Sequence, residues 1–331
     1  MKKVLITGIT GYIGEHCAAE LLRQGYEVIG TVRSRSKADA TRKTIGQVAK
    51  INNLSFVETD LLSDSGWTEA MKGCSYVLHI ASPFFLKEPY DENLLITPAV
   101  EGTLRVIKAA KSAGVKRLVL TSSTFAIIAG KDTGKYGPND WSDINLNIGA
   151  YAKSKTLAER AAWKAVKGSN MEMTAILPGA VFGPPLGSKA EAQNVKMMKD
   201  LIAGKMPMIP DMAMGMIDVR DVAKLQVAAM IKSGAAGKRF IACSAEPIEM
   251  SALTEVLKKA GYKKVPTVKA PTFLLKFISL FDREVKGMLP FIGKKASYDN
   301  SETFKILDWK PTPMSKSFEE MATAITVNEK K

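Results

Sequence analysis

The chain has 331 residues, 46% of them hydrophobic and 24% charged, and a formal net charge of +14. That balance excludes an intrinsically disordered chain and suits a folded, enzyme-sized protein of about two lobes. The basic residues come in scattered pairs such as Lys2-Lys3, Lys258-Lys259, Lys263-Lys264 and Lys294-Lys295. With no basic arm or block, no nucleic-acid footprint is expected, and the diffuse positive field is read as an aid to attracting an anionic cofactor.

Cys17, Cys74 and Cys243 lie far apart without a C-x-x-C, and only His16 and His79 could join them, so neither a disulfide framework nor a metal site is expected. The two histidines read as packing or surface residues. A reducing, cytoplasmic setting follows. No apolar run approaches membrane length, and Phe273 to Phe281, broken by Lys276, reads as an amphipathic helix packed on the protein. No membrane partner is therefore expected, and the protein is read as a monomer or homodimer.

Short apolar runs alternate with helical stretches from the N-terminus onward. Val4-Leu5-Ile6-Thr7 opens the series and leads straight into Gly8-Ile9-Thr10-Gly11-Tyr12-Ile13-Gly14, followed by a helical Gly11 to Gln24. In this strand-to-helix context the G-x-x-G-x-x-G spacing predicts a dinucleotide turn. Gly8 makes the bend, Gly11 lets backbone approach a pyrophosphate, Gly14 allows close packing, and the helix N-terminus attracts the phosphates. Glu27-Val28-Ile29 is the second strand. It ends in Arg33 where an NAD site would place an acid, and Arg33, assisted by Arg35 or Lys37, matches the 2′-phosphate of NADPH.

Ser55-Phe56-Val57 precedes Asp60-Leu61, where the carboxylate either meets the adenine amine or serves as a turn or cap. Tyr76-Val77-Leu78-His79-Ile80 ends in Ala81 and Ser82, small residues that would let backbone lie along the nicotinamide half. After a helical Leu94 to Ala113, the strand Arg117 to Thr121 carries Thr121, assigned to the cofactor side, and Ser123. Tyr151 and Lys155 open the next helix four residues apart and so share one face. A lysine beside a phenol lowers its pKa toward the working range, while Lys155 also holds the nicotinamide ribose and Ser123 holds the substrate oxygen.

Met173-Thr174-Ala175-Ile176-Leu177 is a sixth strand, after which Pro178 begins a looser region. The pattern predicts a Rossmann-type, doubly wound parallel α/β sheet over residues 1–178 plus about 215–243. A smaller, discontinuous substrate-binding lobe is expected over about 179–214 plus 244–331. Ile217 to Ala223 and Lys238 to Ala242 read as a return to the sheet. Seven of the 16 methionines fall between Met197 and Met216, read as a substrate-adapting wall or as core filling. Phe84, Phe85, Phe125 and Phe182 are the candidate neighbours of the substrate pocket.

With the glycine turn, Thr121-Ser122-Ser123 and the Tyr151/Lys155 pair together, the chain resembles the extended short-chain dehydrogenase/reductases. Ala81-Ser82-Pro83-Phe84, Pro98-Ala99-Val100-Glu101-Gly102-Thr103, Trp141-Ser142-Asp143, Ser154 to Glu159, Ile217 to Ala223 and Trp309-Lys310-Pro311 narrow the resemblance to the dihydroflavonol-4-reductase-like branch. The resemblance implies a Ser123/Tyr151/Lys155 triad, NADPH/NADP+ as cofactor, and a Pro178-Gly179-Ala180-Val181 turn framing the nicotinamide. It implies NADPH-dependent, reversible reduction of an aldehyde or ketone to an alcohol. Thr124-Phe125-Ala126 departs from plant flavonoid reductases, and Asn147 to Tyr151 departs from cinnamoyl-CoA reductases, so a small or medium apolar carbonyl compound is expected. The alternatives are an NAD-dependent nucleotide-sugar epimerase or dehydratase, and a noncatalytic NADPH-binding regulator.

Overall fold

The computed structural model describes residues 2–82, 88–187 and 192–329. Its main sheet is all parallel and, among the described residues, has seven strands: β1 (Lys3–Thr7), β2 (Glu27–Val32), β3 (Leu54–Glu58), β4 (Cys74–His79), β5 (Arg117–Thr121), β6 (Glu172–Pro178) and a seventh at Arg239–Ala242. From one edge the order is β3-β2-β1-β4-β5-β6 and then Arg239–Ala242. Progression reverses between β1 and β4, which is where a doubly wound sheet opens its ligand crevice. The α/β fold class expected from the alternating runs is the one found.

Alternation along the strands divides the core into two layers. Val4, Ile6, Leu78 and Val119 face α1 (Tyr12–Arg23) and the helix Val219–Ile231, whereas Leu5, Val77, Leu118 and Leu120 face Asn93–Ser112 and Ala150–Val166. Because both faces are covered, these strands are continuously apolar.

After β6 the chain leaves the sheet. Met216–Asp218 does not rejoin it, pairing instead with Ala180–Phe182 in a separate two-stranded parallel sheet, and only Arg239–Ala242 returns. Asp218 caps the helix Val219–Ile231 by accepting from Arg220 N at 2.8 Å, and Asp221 accepts from Thr312 N at 2.6 Å. The Ile217 to Ala223 motif thus fastens the C-terminal segment to the sheet. The methionine-rich segment fills space: Met198, Met212 and Met216 are buried in the main core cluster, with Met197, Met206 and Met214 packed against it. Among the described residues, no helix is long and apolar enough to cross a membrane.

Candidate active site

The crevice at the β1/β4 reversal is built first by glycine. Gly8 has φ of +71°, and a Cβ there would lie 3.0 Å from the Ala81 backbone, so the turn after β1 sits directly on the end of β4. A Cβ on Gly14 would lie 2.2 Å from the Gly8 carbonyl oxygen. Its close neighbour is therefore the turn itself. Gly11 is different: it is exposed, and a Cβ there would meet only Gly8 O at 3.4 Å. As N-cap of α1, Gly11 brings no side-chain cap, so it leaves the first amides of that helix without one, at the positive end of the helix dipole. An anionic diphosphate fits such a cradle.

Thr7 locks the opposing strand end. Its hydroxyl accepts from Ile80 N and Ala81 N, both at 3.1 Å, which directs its own proton to His79 Nδ1 at 2.8 Å and leaves His79 Nε2 to donate toward Thr103 Oγ1 at 3.3 Å. Burial, reinforced by the Lys155 charge, pushes the His79 imidazole down to about 3, so it stays neutral. His16, bonded to Pro184 O at 3.0 Å, is likewise held neutral by burial, at about 4. Both histidines are packing residues.

Arg33 is exposed at the end of β2 without an ion-pair partner among the described residues. Arg35 differs, because its Nε lies 3.8 Å from Glu58 and its backbone N–H donates to the same carboxylate at 2.8 Å. Lys37 is exposed in the first turn of Ser36–Gly46. Asp60 fulfils the turn role, accepting from Leu62 N at 2.9 Å, while Leu61 packs on Gly102, where a Cβ would come within 2.9 Å of it. Thr10 is exposed on the turn, Ile13 and Ser82 are half-buried, and Pro178 is buried at the end of β6 with Gly179 half-buried after it.

Three expected contacts are corrected. Tyr12 turns its side chain into the core and donates to Gly183 O at 2.6 Å, leaving only its backbone toward the crevice. The Val181 side chain is packed in the main cluster. Phe182 is fully buried edge-on against Phe318, with centroids 5.1 Å apart, because the Ala180–Phe182 strand points it away from the sheet's ligand side. Phe84 and Phe85 lie outside the described residues.

Ser123, Tyr151 and Lys155 come together at the end of β5. Lys155 is buried and donates to Thr121 O at 3.3 Å, with its Nζ 6.0 Å from the Tyr151 ring centroid. The Thr121 hydroxyl is held in turn by Gln226 Nε2 at 2.7 Å. Burial pushes the Tyr151 phenol up to about 12, and a hydrogen bond with Ser123 pulls it only partly back. This differs from the expected lysine-lowered phenol: with Lys155 turned to Thr121, desolvation dominates and Tyr151 remains a protonated acid. Burial brings the Lys155 ammonium down to about 8 despite the opposing charge of Glu159.

Several supporting residues had no signal in the sequence. Ala150 N, one residue before Tyr151, donates to Glu88 Oε1 at 2.7 Å, and Arg283 donates to the Glu88 carbonyl. Glu159, one helical turn past Lys155, accepts from Ser122 Oγ at 2.5 Å and from Arg239 Nε at 2.6 Å. Arg239 lies 3.8 Å over the Trp141 ring, and Ser142 Oγ donates to Phe125 O at 2.7 Å, so Trp141-Ser142 braces the loop after Ser123. Phe125 meets Tyr151 edge-on at 6.0 Å and packs on Phe291 at 4.5 Å. Phe125 thus lies between the rings of Tyr151 and Phe291.

The family model described as the NAD dependent epimerase/dehydratase family matches residues 4–243. The chain belongs to this family. Within it, the chain is similar to tetraketide alpha-pyrone reductase 1 of Arabidopsis thaliana, 32% identical over 81% of this chain and 83% of that protein. It is also similar to a putative NADPH-dependent methylglyoxal reductase, GRP2, of Candida albicans, 31% identical over 77% and 82%. Among solved structures, yeast methylglyoxal/isovaleraldehyde reductase Gre2 complexed with NADPH superposes with a TM-score of 0.83 and 26% identity over 99% of each chain. These similarities place this family member in the dihydroflavonol-4-reductase-like branch of the extended short-chain dehydrogenase/reductases.

Proposed function

We propose that this chain is an NADPH-dependent reductase that converts a small or medium apolar aldehyde or ketone to its alcohol, reversibly. The observation that carries the reading is Tyr151 hydrogen-bonded to Ser123 with the buried Lys155 one helical turn later, in a sheet whose first strand runs into an uncapped glycine turn. The resemblance to Gre2 in complex with NADPH and to the methylglyoxal reductase supports the same chemistry.

NADPH, when bound, supplies the hydride that adds to the carbonyl carbon. The protein's own residues supply the rest. Backbone from Gly8 to Gly14 would receive the diphosphate, Arg33 with Lys37 the 2′-phosphate, and Lys155 the nicotinamide ribose, while Asp60, its Oδ1 engaged in the turn, would have its second oxygen for the adenine amine. Pro178 and Gly179 border the nicotinamide side. Ser123 donates to the substrate oxygen while Tyr151 gives it a proton, with the Lys155 charge engaged at the ribose. Phe125 and Phe291 present apolar surface to the organic part of the substrate. Free buried thiols and a soluble cofactor suit a cytoplasmic setting.

Turnover of NADPH and NADH with a panel of aldehydes, ketones and diketones tests the reading. NADPH consumption matched mole for mole by alcohol supports it. Copurified NAD, interconversion of a nucleotide sugar and no net NADPH consumption would establish epimerase or dehydratase chemistry instead.

A further inference from the structure

The segment expected to pack as an amphipathic helix does the reverse with most of its apolar side chains. In Thr272–Ile278 and the turn after it, Phe273, Phe277, Leu280 and Phe281 are 75%, 62%, 73% and 80% exposed, while Leu275 alone is buried. Positions 273, 276, 277, 280 and 281 recur at intervals of three and four and therefore form one outward stripe. The Phe277 and Phe281 rings touch edge-on at 5.7 Å. With three phenylalanines and a leucine mostly uncovered, the patch is on the order of 500 Å², at the upper end of what a monomer exposes without a use for it.

Charge identifies the kind of surface that would cover it. Residues 258–295 hold ten lysines and arginines against two acids, and three of those cations, Lys269, Lys294 and Lys295, are paired with Asp211, Glu249 and Asp132. Lys276 lies inside the apolar stripe, and Lys258, Lys259, Lys263, Lys264, Lys276 and Lys286 have no ion-pair partner among the described residues. The acids are Asp282, engaged in capping the helix Arg283–Met288 through Glu284 N at 2.8 Å, and Glu284. A second copy seated on this face would set the same positive field against itself.

We propose that this face docks peripherally on an anionic lipid surface. Phe273, Phe277, Leu280 and Phe281 enter the boundary between headgroups and acyl chains, and Lys276, on the same stripe, lies among the anionic headgroups. Aromatic side chains suit that boundary, and lysine can extend its ammonium to water while its stem lies along apolar surface. The exposed stripe is barely two turns long, so attachment is reversible and salt-sensitive. This proposal departs from the expectation of no membrane partner, and the vesicle experiment decides between them.

Flotation of the full chain with phosphatidylcholine vesicles, with and without phosphatidylglycerol, tests this without reference to turnover. The wild type is expected to float with phosphatidylglycerol vesicles at low ionic strength, to stay behind with neutral ones, and to lose about tenfold in binding when salt is raised. Phe277→Ser with Phe281→Ser should weaken binding on the order of 100-fold, and Lys276→Glu by less. Thermal melting and NADPH fluorescence establish that these variants are folded. The proposal is overturned if the wild type ignores anionic vesicles, or if the double serine variant binds as the wild type does. It is equally overturned if sedimentation shows a dimer that the same substitutions dissociate, since the face is then a subunit interface.

Discussion

The Ala150 amide donates to Glu88 Oε1 at 2.7 Å across 62 residues of chain, capping the helix Ala150–Val166 one residue before Tyr151. A carboxylate at a helix N-terminus satisfies an otherwise orphan amide and complements the dipole. Glu88→Ala should cost about 1 kcal/mol of stability and lower kcat more than it raises KM for NADPH, because Tyr151 loses its fixed starting point. Glu88→Gln, which keeps the acceptor, should recover most of kcat. Equal kcat in the alanine variant would show that the cap does not position the phenol.

Cofactor choice should reside in Arg33. Arg33→Asp replaces an unpaired cation by an anion where a 2′-phosphate would lie, and is expected to reduce the NADPH over NADH preference on the order of 100-fold. Lys37→Ala should have a smaller effect in the same direction. Arg35→Ala should have almost none, since Arg35 already leans on Glu58. Dissociation constants for both dinucleotides by fluorescence titration decide among the three.

The pH profile follows from two groups. Tyr151, near 12, stays protonated across the working range, whereas Lys155, near 8, carries its charge below that pH and loses it above. For reduction, kcat/KM should therefore hold on the acid side and fall as pH rises through about 8. Oxidation of the alcohol, which needs a proton acceptor, should gain with rising pH. A reduction rate that instead falls through pH 6 would assign the titration to some other group.

Gly14 is constrained by contact rather than by its backbone angle. A Cβ there lies 2.2 Å from Gly8 O and 2.8 Å from Ile9 Cα, and neither neighbour is a flexible side-chain end that can move aside. Gly14→Ala should force the turn open and weaken NADPH binding more than about tenfold, read by titration on protein whose circular dichroism is unchanged. Undiminished affinity would mean that the turn tolerates another shape.

What was legible in the sequence was local. The short apolar runs, the glycine spacing and the Tyr151/Lys155 pair are each written within a few residues, so the fold class could be read directly and Ser123, Tyr151 and Lys155 could be named as neighbours. Glu88, Phe291 and Arg239 could not, because each reaches its site through tertiary packing, from 62 residues before Ala150 in one case and 80 beyond Glu159 in another. Side-chain direction was also hidden: Tyr12 and Phe182 have the right positions and point into the core. The apolar content of Phe273 to Phe281 was plain, but nothing local told that its phenylalanines face outward.

On the proposed chemistry, Tyr151 delivers the proton while other groups hold the cofactor. The most direct test is Tyr151→Phe, assayed for NADPH oxidation against an aldehyde it is known to reduce as wild type, alongside NADPH affinity by fluorescence titration. Loss of roughly 100-fold or more in kcat with dinucleotide affinity nearly unchanged is the predicted result. Turnover at the wild-type rate in that variant would contradict the account.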